Sequence, residues 1–258
     1  MDLGIKDLRV LVTAGAAGIG LEISRAFVRE GARVHVCDVD EQALAAAKKS
    51  DPQLTQSACD VADRAQVARL FDDATKALGG LDCLVNNAGI AGPTGKVEEI
   101  NPEDWDRCLA IDITGQFNCV RLAVPHLKQS KNASIMNLSS QAGKHGFPLR
   151  SPYAAAKWGV IGFTKSIAIE LGVYGIRVNA LLPGLVAGDR IRRVIEAKAQ
   201  QGGIAFTEQE QAMFRSVSIK DYVTPQQLAD MVVFTASPRA KTISGQAISV
   251  CGDTNMLG

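Results

Sequence analysis

Short β-branched runs alternate with longer helical patterns from one end of the chain to the other, and no other feature constrains the fold as tightly. The strand candidates are Arg9–Thr13, Arg33–Asp38, Leu54–Ala58, Cys83–Asn86, Ser134–Leu138, Arg177–Leu182 and Gln246–Val250. Helical patterns cover Ile19–Glu30, Glu41–Lys49, Ala65–Leu78, Pro102–Lys128, Pro152–Gly172 and Pro225–Ala236. Such alternation calls for a doubly wound α/β fold, a parallel sheet with helices on both faces. The run RVNALL at 177–182 is nearly all apolar, as a covered central strand requires. The one long stretch without a strand runs from Pro183 to Thr224. It holds a helical pattern at Arg190–Gln200 and then Gly202-Gly203, and we expect a substrate loop or lid at about 185–222.

Composition narrows the class. A chain of 258 residues can bury a large core and is expected to form a single domain, 1–258. Its 28 basic and 27 acidic residues leave no global field for nucleic acid or an anionic membrane. No apolar run is long enough to cross a bilayer and the N-terminus carries no signal-peptide pattern, so a cytoplasmic location is expected. The six cysteines (37, 59, 83, 108, 119, 251) form no CxxC pair and the three histidines are scattered. Metal-ligand spacing is absent, and Cys37, Cys59 and Cys83 read as reduced, buried apolar residues.

The first strand leads into Ala14-Gly15-Ala16-Ala17-Gly18-Ile19-Gly20 and a helix. Glycines in that position let the backbone approach a pyrophosphate, and the helix N-terminus offers N–H donors and a positive dipole end. Asp38 closes the second strand, close to the expected distance of about 20 residues beyond the glycines. A carboxylate there accepts hydrogen bonds from both ribose hydroxyls and repels a 2′-phosphate. Neither Ala17 nor Val39 is an Arg or Lys that would hold that phosphate, so NAD is expected rather than NADP. In Ser151-Pro152-Tyr153-Ala154-Ala155-Ala156-Lys157, proline suits a first helical turn and alanines favour the helix. Tyr153 and Lys157 then share one face. By itself the pair reads most simply as a surface contact, although a nearby cation also favours a phenolate.

These elements together resemble the short-chain dehydrogenase/reductase family in its shorter branch. The resemblance spans essentially the whole chain: TAGAAGIG at 13–20, Asp38, CDV at 59–61, NNAG at 86–89, NLSS at 137–140, YAAAK at 153–157, RVNALLPGLV at 177–186 and ISGQAISV at 243–250. It implies a Rossmann-type fold with a seven-stranded parallel sheet, commonly assembled as a homotetramer. It implies an alcohol or ketone as the small-molecule substrate and Tyr153 as the proton donor and acceptor. Ser140, thirteen residues earlier, would hold the substrate oxygen, in preference to Ser139. Lys157 would bind the nicotinamide ribose and favour the phenolate of Tyr153. Asp60 and Val61 resemble the adenine contacts, Asn87, Ala88 and Gly89 would follow the ribose, and Pro183, Gly184 and Val186 would meet the carboxamide. A sensor or scaffold that binds the dinucleotide with little catalysis is the alternative.

Two positions depart from the family pattern. Where the family commonly has an asparagine that bends its helix and holds a water of a proton relay, this chain has Asp112. Asp keeps two acceptors, loses the amide donor and sets a carboxylate behind Lys157; an altered but functional relay is expected. Where the family often has a threonine after the Pro-Gly turn, this chain has Gly188. The helix that follows carries Arg190, Arg192 and Arg193, which read either as a solvated face partly balanced by Glu196 or as a basic rim over the site. Arg150 and His145 are further candidates for the substrate pocket.

Overall fold

The computed structural model describes residues 2–256. Seven strands form one parallel sheet in the order β3-β2-β1-β4-β5-β6-β7, with β1 Arg9–Thr13, β2 Arg33–Asp38, β3 Thr55–Ala58, β4 Cys83–Asn86, β5 Ser134–Leu138, β6 Arg177–Pro183 and β7 Ala247–Val250. All the expected strands are present. The first residues of two candidates, Leu54 and Gln246, fall outside the ladder.

The period of two along each strand divides the core. Val10, Val12, Val34 and Val36 pack with α1 (Gly18–Arg29), α2 (Glu41–Ser50) and α9 (Pro225–Ala236) on one face. Leu11, Leu84, Ile135 and Val178 pack with α3 (Arg64–Leu78), α5 (Gly115–Leu127) and α6 (Ser151–Gly172) on the other. A third, small cluster joins Ile195 of α7 (Asp189–Gly202) and Met213 of α8 (Phe206–Arg215) to Leu185 and Val217 on the chain either side of them. The segment expected to be a loop or lid is therefore two helices with an apolar core of their own. Gly203 ends α7 in the left-handed region, so the Gly-Gly pair is a helix stop.

The long helix expected over Pro102–Lys128 is not regular. It runs as α4 (Pro102–Leu109), one π turn at Ala110–Thr114, and α5. The Gly115 N–H donates to the Ala110 carbonyl, which widens the turn, and Asp112 lies inside it. Strand order reverses between β1 and β4, and their C-terminal ends are stitched together there. Thr13 Oγ1 accepts from the backbone N–H groups of Asn87 and Ala88, both at 3.0 Å. Asn87 Nδ2 donates to the Thr13 and Ala14 carbonyls, each at 3.0 Å. In open α/β sheets this reversal is where ligands bind.

His35 on β2 is buried between Thr55 Oγ1, 2.9 Å from Nδ1, and Ser57 Oγ, 3.1 Å from Nε2. Ser57 donates in turn to Asp73, so the neutral ring with its proton on Nε2 fits the network. Burial brings the imidazole down to about 4, against the weaker opposing pull of Asp73. Between its unfolded value near 6.5 and about 4 the unfolded chain binds more protons, so stability falls on acidification through that window. The expected loss is about 3 kcal/mol at the limit. Urea titrations at pH 7, 5 and 4 measure it, and His35→Asn should flatten the dependence across the same window.

Candidate active site

A cavity of about 450 Å³ opens at the C-terminal ends of the strands. Ala14, Ala17, Gly18, Ile19, Gly20 and Asp38 line one part of it; Ser139, Ser140, Tyr153 and Lys157 line another, with Pro183, Gly184 and Val186 beside them. The β1–α1 turn is shaped for close approach. Built Cβ atoms would lie 2.8 Å from Val36 at Gly15 and 2.1 Å from the Ala14 carbonyl at Gly20. Gly15 thus serves packing against β2, away from the cavity, while Gly20 faces it. No side chain caps α1, whose N-cap is Ala17, and no acidic residue sits in its first turn. Its free N–H groups and dipole suit a phosphate. Asp38 accepts weakly from the Ala16 N–H at 3.4 Å and pairs with no cation among the described residues.

The π turn and α6 bring Asp112 and Lys157 together. Their side chains are 0% and 3% exposed, and Lys157 Nζ lies 3.4 Å from Asp112 Oδ2. Nζ also donates to the Leu138 carbonyl at 3.1 Å, and Asp112 Oδ1 accepts from the Ile90 N–H at 2.7 Å. The Asp112 carbonyl accepts from Gln116 Nε2 at 3.2 Å. An asparagine at this place would aim its amide donor at the same ammonium, whereas Asp supplies the opposite charge. Lys157 Nζ stands 5.5 Å from the centre of the Tyr153 ring.

The two serines differ. Ser139 Oγ is buried and donates to the Lys157 carbonyl at 2.8 Å. Ser140 Oγ accepts from the Ala142 N–H at 3.1 Å, which leaves its own proton to donate. Ser140 therefore has the freer hydroxyl of the two. Gly188 starts α7 with φ 138° and ψ 179°, a conformation that glycine alone adopts readily, which accounts for the missing threonine.

Other expected residues lie outside this cavity. Val39 is exposed; Asp60 pairs with Arg107 at 2.8 Å; Val61 is buried against Gly115; Ala88 is half-buried; His145 does not line the cavity. Arg190 and Arg193 line it, whereas Arg192 pairs with Glu196 at 3.1 Å on the exposed face of α7. Arg150, at the start of α6, is buried and lines it as well. The walls also include Phe147, Ile191, Val194 and Met213, which sequence reasoning missed. The apolar residues Phe206, Met213 and Phe214 stand at helical spacing and could have disclosed α8.

Comparison with known proteins agrees with this architecture. The family model described as Enoyl-(Acyl carrier protein) reductase matches residues 14–253. The D-beta-hydroxybutyrate dehydrogenase of Cupriavidus necator is 33% identical over 240 residues, covering 91% of this chain and 93% of that protein. The crystal structure of NAD+-bound xylitol dehydrogenase superposes with a TM-score of 0.92 at 26% identity, covering 96% and 99% of the two chains. A variant of actinorhodin polyketide ketoreductase with NADPH gives 0.90 at 32%, covering 98% of each. The chain belongs to the short-chain dehydrogenase/reductase family, and is an oxidoreductase of that family with a site for a nicotinamide dinucleotide.

Removing one partner of a buried ion pair leaves an uncompensated charge. Asp112→Ala is expected to cost about 3–5 kcal/mol in urea denaturation. Adding Lys157→Met should recover most of that loss, because neither charge of the pair then remains. A double variant no more stable than Asp112→Ala would show that the pair is not the source.

Proposed function

We propose that the protein is an NAD-dependent dehydrogenase interconverting a secondary alcohol and a ketone, with Tyr153 as acid and base. The observation that carries this reading is the convergence of Ser140, Tyr153 and Lys157 on a cavity that also contains the uncapped α1 turn and Asp38. The cofactor's pyrophosphate fits the Gly18–Gly20 turn, its adenosine ribose Asp38, and its nicotinamide end Lys157, Pro183, Gly184 and Val186. When bound, it supplies the hydride acceptor or donor.

The chain's own residues handle the proton and the geometry. In oxidation the Tyr153 oxygen takes the proton of the alcohol O–H, and Ser140 donates to that same oxygen to hold the carbinol in place. The Lys157 ammonium stabilises negative charge on Tyr153, and its ion pair with Asp112 holds it in position. Asp112 thus acts on the chemistry through Lys157, as a positioning residue. In reduction the proton moves from Tyr153 to the ketone oxygen.

Asp38 supports NAD over NADP: its carboxylate has no described cation beside it to receive a 2′-phosphate. The α7–α8 unit supports a lid, since it has its own small core and lines the cavity. A homotetramer is supported by Phe117 on α5 and Trp158 on α6, which are 43% and 52% exposed on neighbouring helices. Light scattering on the purified protein tests that state against a monomer of 27.4 kDa.

Absorbance at 340 nm with NAD and NADP against a panel of secondary alcohols tests the reaction. Tyr153→Phe should lower kcat by roughly 1,000-fold while NADH still quenches or shifts the protein's fluorescence. Asp38→Ser should narrow the NAD preference by at least about tenfold. Asp112→Asn keeps the acceptor for Ile90 and should retain turnover. Unchanged kcat in Tyr153→Phe would rule out the assigned acid and base.

A further inference from the structure

Arg150 is the largest side chain that is fully buried in the described structure, 2% exposed, and no carboxylate pairs with it. One hydrogen bond is made, from Nη2 to the Ala91 carbonyl. Nε and Nη1 have no partner. A guanidinium has two edges that each present a pair of parallel N–H groups, and both edges share Nη2. Ala91 takes one of the two Nη2 hydrogens, so one complete two-donor edge is left. A buried, unpaired charge of this kind is costly unless something completes it.

Its surroundings are cationic and aromatic. The Arg150 guanidinium lies 5.1 Å from the centre of the Tyr153 ring and 5.3 Å from that of Phe147. Arg190 lies 5.9 Å from the Tyr153 ring and donates from Nη1 to the Gly89 carbonyl at 3.1 Å. Lys198 Nζ stands 4.5 Å from the Phe147 ring. Asp112 is committed to Lys157, and Asp189, the other acid on this side of the cavity, forms no ion pair among the described residues. Burial pushes the Arg150 guanidinium below its ordinary range, and Arg190 adds to that. Burial, with Arg150 nearby, brings the Lys198 ammonium down to about 8. For both groups, loss of water on burial is the main cause.

We propose that the substrate is a short secondary alcohol ending in an oxyanion group, whose head is held by the free two-donor edge of Arg150 with Arg190 at the mouth of the cavity. This rests on the dehydrogenase reading above and names its substrate class. Planar oxyanions such as carboxylate match the paired N–H geometry, and sulfonate presents the same two acceptors. Arg150 stands three residues before Tyr153 and against its ring, so the head and the carbinol belong to one small molecule. The head undergoes no bond change. The O–H proton would go to Tyr153, and a nicotinamide bound beside it would supply the acceptor for the carbinol hydride.

Matched probes separate charge from size: 3-hydroxybutanoate, 3-hydroxybutanamide and 2-hydroxypropane-1-sulfonate, each with NAD at 340 nm. We expect kcat/KM for the better anion to exceed that for the amide by roughly 100-fold. Arg150→Met should cut this ratio at least about thirtyfold, chiefly through KM, and exposed Arg190→Gln by about fivefold. The carboxylate and sulfonate arms tell which head the site takes. A second readout needs no turnover: calorimetric titration of the NADH-saturated protein with acetoacetate and with acetonylsulfonate. Binding that weakens at least about thirtyfold in Arg150→Met, with the NADH dissociation constant unchanged, supports the assignment. No binding of either anion, or equal kcat/KM for amide and anions in the wild type, overturns it. Turnover of neutral alcohols that Tyr153→Phe abolishes, without anion preference, would sink this inference and leave the dehydrogenase reading standing. Anion binding lost in Arg150→Met, with no turnover on any alcohol, would do the reverse.

Discussion

A lysine ammonium held in the interior against one carboxylate ties the centre of this structure together. Moving two such charges out of water costs several kcal/mol per ion, which their mutual attraction and one further hydrogen bond from each partner help to offset. Lys157 also donates to the end of β5 at Leu138, and Asp112 accepts from the chain after β4 at Ile90. Four segments therefore meet at one ion pair: α6, the π turn, the chain after β4, and β5. The π turn belongs to the same arrangement, because it places Asp112 where a regular helix would carry it elsewhere.

The second constraint is the reversal of strand order between β1 and β4. Parallel strands end on one edge of the sheet, and adjacent crossovers that turn opposite ways leave a crevice there. Thr13 and Asn87 close the bottom of that crevice with four hydrogen bonds. The NNAG segment is therefore first a brace for the glycine turn. Its asparagine side chain is spent on the Thr13 and Ala14 carbonyls, which fixes the turn without occupying it. The uncapped N-terminus of α1 then faces the cavity with its N–H groups unspent.

Much of this was legible in the residues because it depends on local rules. The period of two in Val10–Val12 and Val34–Val36 and the helical stretches between them imply the layered sheet, whereas Ser140 and Lys157 stand out about Tyr153 only through the resemblance to the family pattern. Gly188 was visible only as a departure; its φ of 138° supplied the reason. The π turn was not legible, since Ala110–Thr114 has ordinary helical composition and the bulge is set by what Asp112 must reach. Helix α8 was overlooked because Gly202-Gly203 looked like the start of a loop, although Phe206 and Met213 already carried a helical period.

By itself the sequence determined the order of strands and helices and the glycine turn, because each is written in neighbours a few residues apart; Ser140, Tyr153 and Lys157 were expected from the resemblance of longer stretches to a family pattern. Tertiary structure alone decided that Asp112 meets Lys157, that Arg192 pairs with Glu196 on the open face of α7 while Arg190, also exposed, borders the cavity, and that Arg150 is buried with donors to spare. Those outcomes depend on distances between segments remote in the chain, and on which charges lose their water when the segments close. No local pattern encodes either.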